Sequence, residues 1–154
     1  MENKDIYFVA VKIFLKDNSG NFLITKDIFN QDWDIPGGRL RENDFDTPLV
    51  SVVKRKMTEE LGENVLYKLG EPIIFMRHER DELMPSGKKE KRRIFAVGYE
   101  ANYLNGEIKL GKHHEKYEWV PIKTFKAENY FTDGWLKGVK EFQSKNNKKR
   151  KTFF

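Results

Sequence analysis

The sequence predicts an α/β fold: a mixed β-sheet covered by two main helices, an α/β/α sandwich. Three observations carry this. Extended segments precede and follow one amphipathic helical segment, and a second helical segment comes near the end of the chain. The first extended run, Ile6–Leu15, is β-branched and aromatic, and its first half is apolar on both faces, as in a strand inside a sheet. Leu49, Val53, Met57 and Leu61 recur every four residues, a stripe that a helix gathers on one face.

The elements follow in order. Asp17–Asn21 is a turn cluster, so Phe22–Thr25 returns as the second arm of a hairpin. Trp33–Ile35 is short and extended. Pro36 biases Ile35 away from helix, and Gly37 and Gly38 permit positive φ or close backbone approach. Thr47-Pro48 reads as a helix start, a capping hydroxyl followed by proline at the first helical position. Gly62 is the stop, so the helix is expected over Pro48–Leu61. Val65–Arg77 holds one or two strands around Gly70-Glu71-Pro72. Asp81–Arg93 reads as a surface loop with Pro85, Ser86 and Gly87 at its tip. Ile94–Tyr103 is a strand, Asn105-Gly106 a turn, Glu107–Leu110 a short strand and Tyr117–Pro121 the last strand. Lys126–Phe142 is the second helix, with Trp135, Val139 and Phe142 on its buried side. No linker or repeat divides the chain. Residues 1–144 are expected to form a single domain and 145–154 a basic, disordered tail.

Composition narrows the function classes. Aromatic residues make up 14% of the chain, too many for a disordered one. Ile6–Val11 is too short an apolar run for a membrane span or a secretory leader. The absence of cysteine excludes disulfides, thiolate zinc sites and a cysteine nucleophile, and fits a cytoplasmic protein. The formal charge is +5, and Lys145, Lys148, Lys149, Arg150 and Lys151 account for all of it. A basic tail attracts nucleic acid or phosphate-rich surfaces, or is simply a solvated end. A second basic cluster, Lys88, Lys89, Lys91, Arg92 and Arg93, is broken by Glu90.

Glu59 and Glu60 sit side by side in the last turn of the first helix. Two carboxylates repel each other, and the negative end of the helix dipole opposes both. A hard divalent cation would reverse that balance, since magnesium and manganese prefer oxygen ligands. Alone, the pair reads as two solvated surface acids.

The wider pattern is more specific. Trp33-Asp34-Ile35-Pro36-Gly37-Gly38, a loop, and Arg55-Lys56-Met57-Thr58-Glu59-Glu60-Leu61-Gly62 together resemble the Nudix box, G-x5-E-x7-R-E-U-x-E-E-x-G-U, with U a bulky aliphatic residue. Gly38, Arg55, Met57, Glu59, Glu60 and Gly62 stand at matching positions. Phe22-Leu23-Ile24 is similar to the family's hairpin strand, and His114–Pro121 to the segment where the family places a further glutamate before an aromatic strand. The resemblance covers most of residues 6–142.

The chain departs from the pattern at three points. The spacing from Gly38 to Arg55 is three residues longer. Counting forward puts Asp44 at the first glutamate position, and counting back puts Thr47 there, so the insertion lies in the loop Arg41–Asp46. Lys56 stands where the family has glutamate. Glu63 replaces the final aliphatic residue. Lys56 and Glu60 are one helical turn apart, so an ammonium faces a carboxylate. It either occupies part of the cation's space or swings away and leaves Glu59, Glu60 and Glu115 to hold one metal.

The resemblance implies a fold and a chemistry. It implies a Nudix-like α/β/α sandwich that hydrolyses a pyrophosphate bond in a nucleoside diphosphate linked to another moiety, with Mg2+ or Mn2+ as cofactor. Cations neutralise phosphate oxygens, and a base or positioned water attacks phosphorus. Glu60, then Glu59, are the implied metal ligands, and Glu115 the late glutamate that binds metal or accepts a proton. Gly38 would lie against metal or phosphate. Apart from the pattern, Lys56 is a candidate to touch phosphate if it points into the site, and Arg77 either binds phosphate bidentately or is a surface arginine. The resemblance further implies a small-molecule nucleotide partner and leaves a homodimer open. The alternatives are a nucleotide-binding module whose hydrolysis Lys56 has weakened or abolished, and an RNA contact through the basic tail, with no membrane partner.

Other residues have plainer readings. Adjacent residues of a strand face opposite ways, so His113 and His114 are taken as loop histidines rather than a metal pair. His78-Glu79-Arg80 is an exposed strand-end cluster or a pocket wall. Phe75, Phe95, Tyr99 and Trp119 are read as core.

Overall fold

The first strand explains the layering. In the computed structural model, which describes residues 2–151, β1 (Phe8–Lys16) lies inside a sheet and sends alternate side chains to opposite layers. Ala10 and Phe14 face one core, with Phe22 and Ile24 of β2 (Asn21–Asp27) and Trp135, Val139 and Phe142 of α2 (Asp133–Lys151). Val11, Ile13 and Leu15 face the other, with Val52, Val53, Met57 and Leu61 of α1 (Leu49–Leu61). Each fully buried aliphatic or aromatic side chain contributes roughly 1.5–3 kcal/mol, so two helices docked on two faces account for much of the stability.

Five further strands complete the sheet: β3 (Trp33–Asp34), β4 (Gly37–Arg39), β5 (Leu66–Leu83), β6 (Lys89–Asn105) and β7 (His114–Pro121). The strand order is β3-β2-β1-β6-β5, with β4 on β1 and β7 on β2. Among the described residues only β1 and β6 pair in parallel, in register from Phe8 opposite Ile94 to Lys16 opposite Asn102. The mixed sheet between two helices is the sandwich the sequence predicts.

Several local readings change. Asp81–Arg93 is not a loop but the outer half of a long hairpin of β5 and β6, turning at Met84–Lys88. Its charges explain why: Glu79 lies opposite Arg93, and Arg93 donates to Glu79 Oε2 at 2.9 Å, a cross-strand pairing that a charge-rich sequence hides. Glu107–Leu110 is not a strand. It runs along the end of α1, where Lys109 N–H and Gly111 N–H donate to the carbonyls of Leu61 and Glu60 at 2.9 and 3.1 Å. These bonds satisfy helix-end acceptors that would otherwise have no partner. At the other end Pro48 is itself the N-cap, so the Thr47 hydroxyl lies one residue outside and makes no capping bond. Leu49 is at the surface, and Val52 joins the buried stripe instead. The second helix starts at Asp133, after a 3₁₀ turn at Ala127–Asn129, and continues through Lys151, into the segment assigned to the basic tail. Residues 152–154 lie outside the described residues.

Candidate active site

The last turn of α1 and the β4 strand meet at one spot because Gly37 and Gly38 pair with Lys12 and Val11 of β1. Gly37 has φ +141°, and a Cβ there would lie 2.0 Å from the Val11 carbonyl oxygen. Glycine is required at that turn. Gly38 carries a different constraint. A Cβ on it would sit 3.2 Å from Lys56 Nζ and 3.3 Å from Lys56 Cε. The Lys56 side chain therefore lies across the glycine, inside the cleft, with only 12% of it exposed.

Glu59 and Glu60 both reach this cleft, and each already has protein partners. Arg41 donates to Glu59 Oε1 at 2.8 Å, Arg55 Nε stands 3.4 Å from the same oxygen, and Lys56 Nζ is 3.6 Å from Oε2. Glu60 Oε2 is 2.8 Å from His114 Nδ1. That contact is close in distance but falls short of an aligned hydrogen bond. Burial alone would lower the His114 imidazole pKa; the Glu60 carboxylate outweighs burial and raises it above the ordinary value. The repulsion expected between the two acids at a helix C-terminus is thus offset by Arg41, Arg55 and Lys56 around Glu59, with the His114 imidazole beside Glu60.

His114 was read as a loop residue, yet it opens β7 and is buried. The cause is a β-bulge. Lys26 pairs with Lys116 but Asp27 pairs with His114, leaving Glu115 as the extra residue of the ladder. Bulges re-aim flanking side chains. Here His114 meets Glu60, while Glu115 stands outside the cleft with its carboxylate 3.7 Å from Lys26. Glu115 is therefore not brought together with Glu59 and Glu60. A sequence signal existed in the glycine-basic run Gly111–His114 just before a strand, but a bulge cannot be counted from sequence.

Asp44 takes its place by pairing with Arg55. Arg55 Nη1 and Nη2 donate to its two oxygens at 2.5 and 2.8 Å, and Arg41 N–H donates to Oδ2 at 2.7 Å. Asp44, the residue that the forward count from Gly38 reaches, is thus the partner of Arg55.

Around these residues lies a cleft of about 860 Å³. Its charged walls are Lys12, Arg39, Arg41, Lys56, Arg80 and Lys112, against Asp27, Asp34, Glu59 and Glu60. Lys12 and Asp34 neutralise each other at 2.9 Å, and Lys12 holds the partly buried Asp34 carboxyl below its ordinary pKa despite the opposing effect of burial. Arg77 does not line the cleft. Residues of β5 alternate, so Arg77 is exposed on the opposite face, while Arg80 reaches the cleft. A second cavity of about 400 Å³ adjoins it, with Asp27, Asp34, Arg80 and Trp135 common to both. Its walls include Trp33, Tyr130 and His78, and the His78 ring stacks on Trp135 at 4.4 Å. Of the aromatics read as core, Tyr99 is buried and Trp119 packs against the α1 layer, whereas Phe75 is exposed.

The donor set does not fit a divalent ion held by the protein alone. Magnesium takes six oxygen ligands, several of them water or substrate phosphate, and among the described residues no group of three or more histidine, aspartate or glutamate side chains is placed to hold one, so the protein would supply at most Glu59 and Glu60, both already paired. Lys56 occupies the position of a third carboxylate and cannot ligate a cation.

Comparison with known proteins places the fold. A family model described as the NUDIX domain matches residues 6–137. The nucleoside triphosphatase NudI of Escherichia coli K12 is 26% identical over 111 residues, covering 69% of this chain and 77% of that protein. The structure of the MutT protein from Methanosarcina mazei Go1 superposes with a TM-score of 0.70 at 21% identity, covering 94% of this chain and 99% of that one. An Ap4A hydrolase of C. elegans, solved as a binary complex, gives 0.61 at 12% identity, covering 89% and 96%. The matched span takes in the glycine turn, the acidic helix end and most of the cleft wall, and on it the chain belongs to the Nudix family.

Proposed function

We propose that this protein hydrolyses a pyrophosphate bond in a nucleoside diphosphate linked to another moiety, taken up as its magnesium or manganese salt. Nudix family members hydrolyse nucleoside diphosphate derivatives and generally use divalent metal ions. The observation that carries the reading is the convergence of Glu59 and Glu60 with Arg41 and Lys56 at one end of the 860 Å³ cleft. A polyphosphate needs cations along its oxygens and a carboxylate beside the attacked phosphorus.

In this reading Glu59 and Glu60 orient a water and accept its proton. The water oxygen bonds to phosphorus as the bridging P–O bond breaks and the leaving phosphate departs with the electron pair. Arg41 and Lys56 offset the charge that builds on the phosphoryl oxygens. His114 holds Glu60 in place from behind. The adjoining cavity, with the Trp33 and Tyr130 rings 5.5 Å apart, is suited to the base or the group attached to the diphosphate.

The test is a panel of nucleoside triphosphates, nucleotide sugars and dinucleoside polyphosphates, with magnesium or manganese, read by ion-exchange separation of products. Glu60→Gln is the control. Turnover that falls at least about 100-fold in the variant supports the reading. Equal inertness of both proteins across the panel ends it. Lys56 favours a second reading, retention of the nucleotide without cleavage, and binding of panel members without turnover would establish that one.

A further inference from the structure

We infer that Lys56 is the site's own cation: its ammonium binds a phosphate of the ligand directly, over Gly38, so that the diphosphate is held without free metal. The inference rests on reading the cleft as a phosphate site, and deepens it.

Lys56 is placed unlike a surface lysine. Its side chain is 12% exposed and lies along the Gly38 backbone, where a single methyl group would reach to within 3.2 Å of Nζ. An ammonium carries three donors, and here Nζ, which is not among the buried unpartnered atoms, opens onto the cleft while its stem is covered by the protein. Among the described residues the only charged partner of Nζ is Glu59 Oε2 at 3.6 Å, too long for a hydrogen bond. Glu59 already accepts from Arg41 at 2.8 Å, and Glu60 is committed to His114. The donors of Lys56 thus point into a cleft whose nearest acids are engaged elsewhere. An anion with several oxygens satisfies them, and Arg41 supplies a second fixed charge beside it. The same ammonium, 3.6 Å from Glu59, repels a divalent ion that approaches the carboxylates. One residue therefore adds a fixed positive charge and removes a resident metal site.

The experiment uses the full chain and two probes, inorganic pyrophosphate and ADP, titrated calorimetrically in excess EDTA. Wild type is expected to bind both. Lys56→Met is expected to weaken pyrophosphate at least about 10-fold, the loss of a charged hydrogen bond. Lys56→Glu is expected to bind neither in EDTA and to regain binding when manganese is supplied. Gly38→Ala, which displaces the lysine stem, gives a second route to the same weakening if Lys56→Met does not fold. Manganese is then titrated without nucleotide and followed by electron paramagnetic resonance. Wild type should leave the free-ion signal intact, and Lys56→Glu should deplete it stoichiometrically. Absence of wild-type binding in EDTA, unchanged affinity in Lys56→Met, or a manganese site in wild type as strong as in Lys56→Glu overturns the inference. Turnover of the nucleotide panel is a separate readout. An enzyme that hydrolyses but binds nothing in EDTA refutes this role of Lys56 alone, and one that binds through Lys56 but never hydrolyses refutes the proposed function alone.

Discussion

Asp44 takes both terminal nitrogens of Arg55, Nη1 to Oδ1 at 2.5 Å and Nη2 to Oδ2 at 2.8 Å. The pair ties the loop after β4 to the middle of α1. Arg41, three residues before Asp44, is thereby set to reach Glu59 one turn further along the helix. The loop, three residues longer than the family pattern, is held to the helix by this anchor.

The anchor makes stability depend on pH. The Arg55 guanidinium, then the Arg41 N–H, hold the Asp44 carboxyl well below the usual carboxylate range. A group whose folded pKa is lowered contributes stability that is present above its unfolded pKa, about 4, and lost as pH falls through the folded value. Asp44→Asn is expected to lower the urea midpoint at about pH 7, with the gap to wild type narrowing steadily as pH falls below about 4. A gap that stays constant over that range would show that charge is not its source.

Two neighbouring glycines should respond differently to the same methyl group. Gly37→Ala places a Cβ 2.0 Å from backbone at φ +141° and is expected to cost roughly 3 kcal/mol or more. Gly38→Ala meets only the flexible end of Lys56, so its urea midpoint should stay near wild type while pyrophosphate affinity falls. Equal destabilisation of the two would place the clash at Gly38 on backbone rather than on the lysine.

How much of this was legible in the sequence divides along a physical line. The stripe Val53, Met57 and Leu61 and the buried set Trp135, Val139 and Phe142 were readable, because helical spacing reports burial directly. The glycine turn and the acidic pair were readable because their spacing is local. The β5–β6 arm was not, since cross-strand ion pairs such as Glu79 with Arg93 look like loop charges until the strands are aligned. Lys56 is legible as an ammonium one turn from Glu60, but its resting place over Gly38 depends on a strand pairing 18 residues away in the chain. The fate of Glu115 and His114 turned on one unpaired residue in a ladder.

Docking of α2 is carried by its last buried ring. Phe142 is fully buried, stacks on Phe14 at 4.5 Å and meets Phe22 at 5.2 Å. Phe142→Ala is expected to cost about 3–5 kcal/mol, the range for truncating a buried aromatic. Chemical denaturation measures it, and a loss below about 1 kcal/mol would mean that the helix is not held by this layer.

The bulge at the start of β7 separates two residues that the sequence offers as equals. His114 is buried against Glu60 at 2.8 Å, and Glu115 faces Lys26 at 3.7 Å on the rim. Removing the imidazole takes away the side chain against which the Glu60 carboxylate rests, so Glu60 is free to turn away from the water's side of the phosphorus. His114→Ala is expected to lower kcat at least about 10-fold, with little change in KM, since the loss falls on the reacting geometry rather than on phosphate binding. Glu115→Gln gives up only an exposed ion pair of small value and should stay within about 2-fold of wild type. Steady-state kinetics on whichever panel substrate turns over decides between them. A large loss in Glu115→Gln with none in His114→Ala would mean that the ladder re-registers during the reaction and that the bulge does not fix the site.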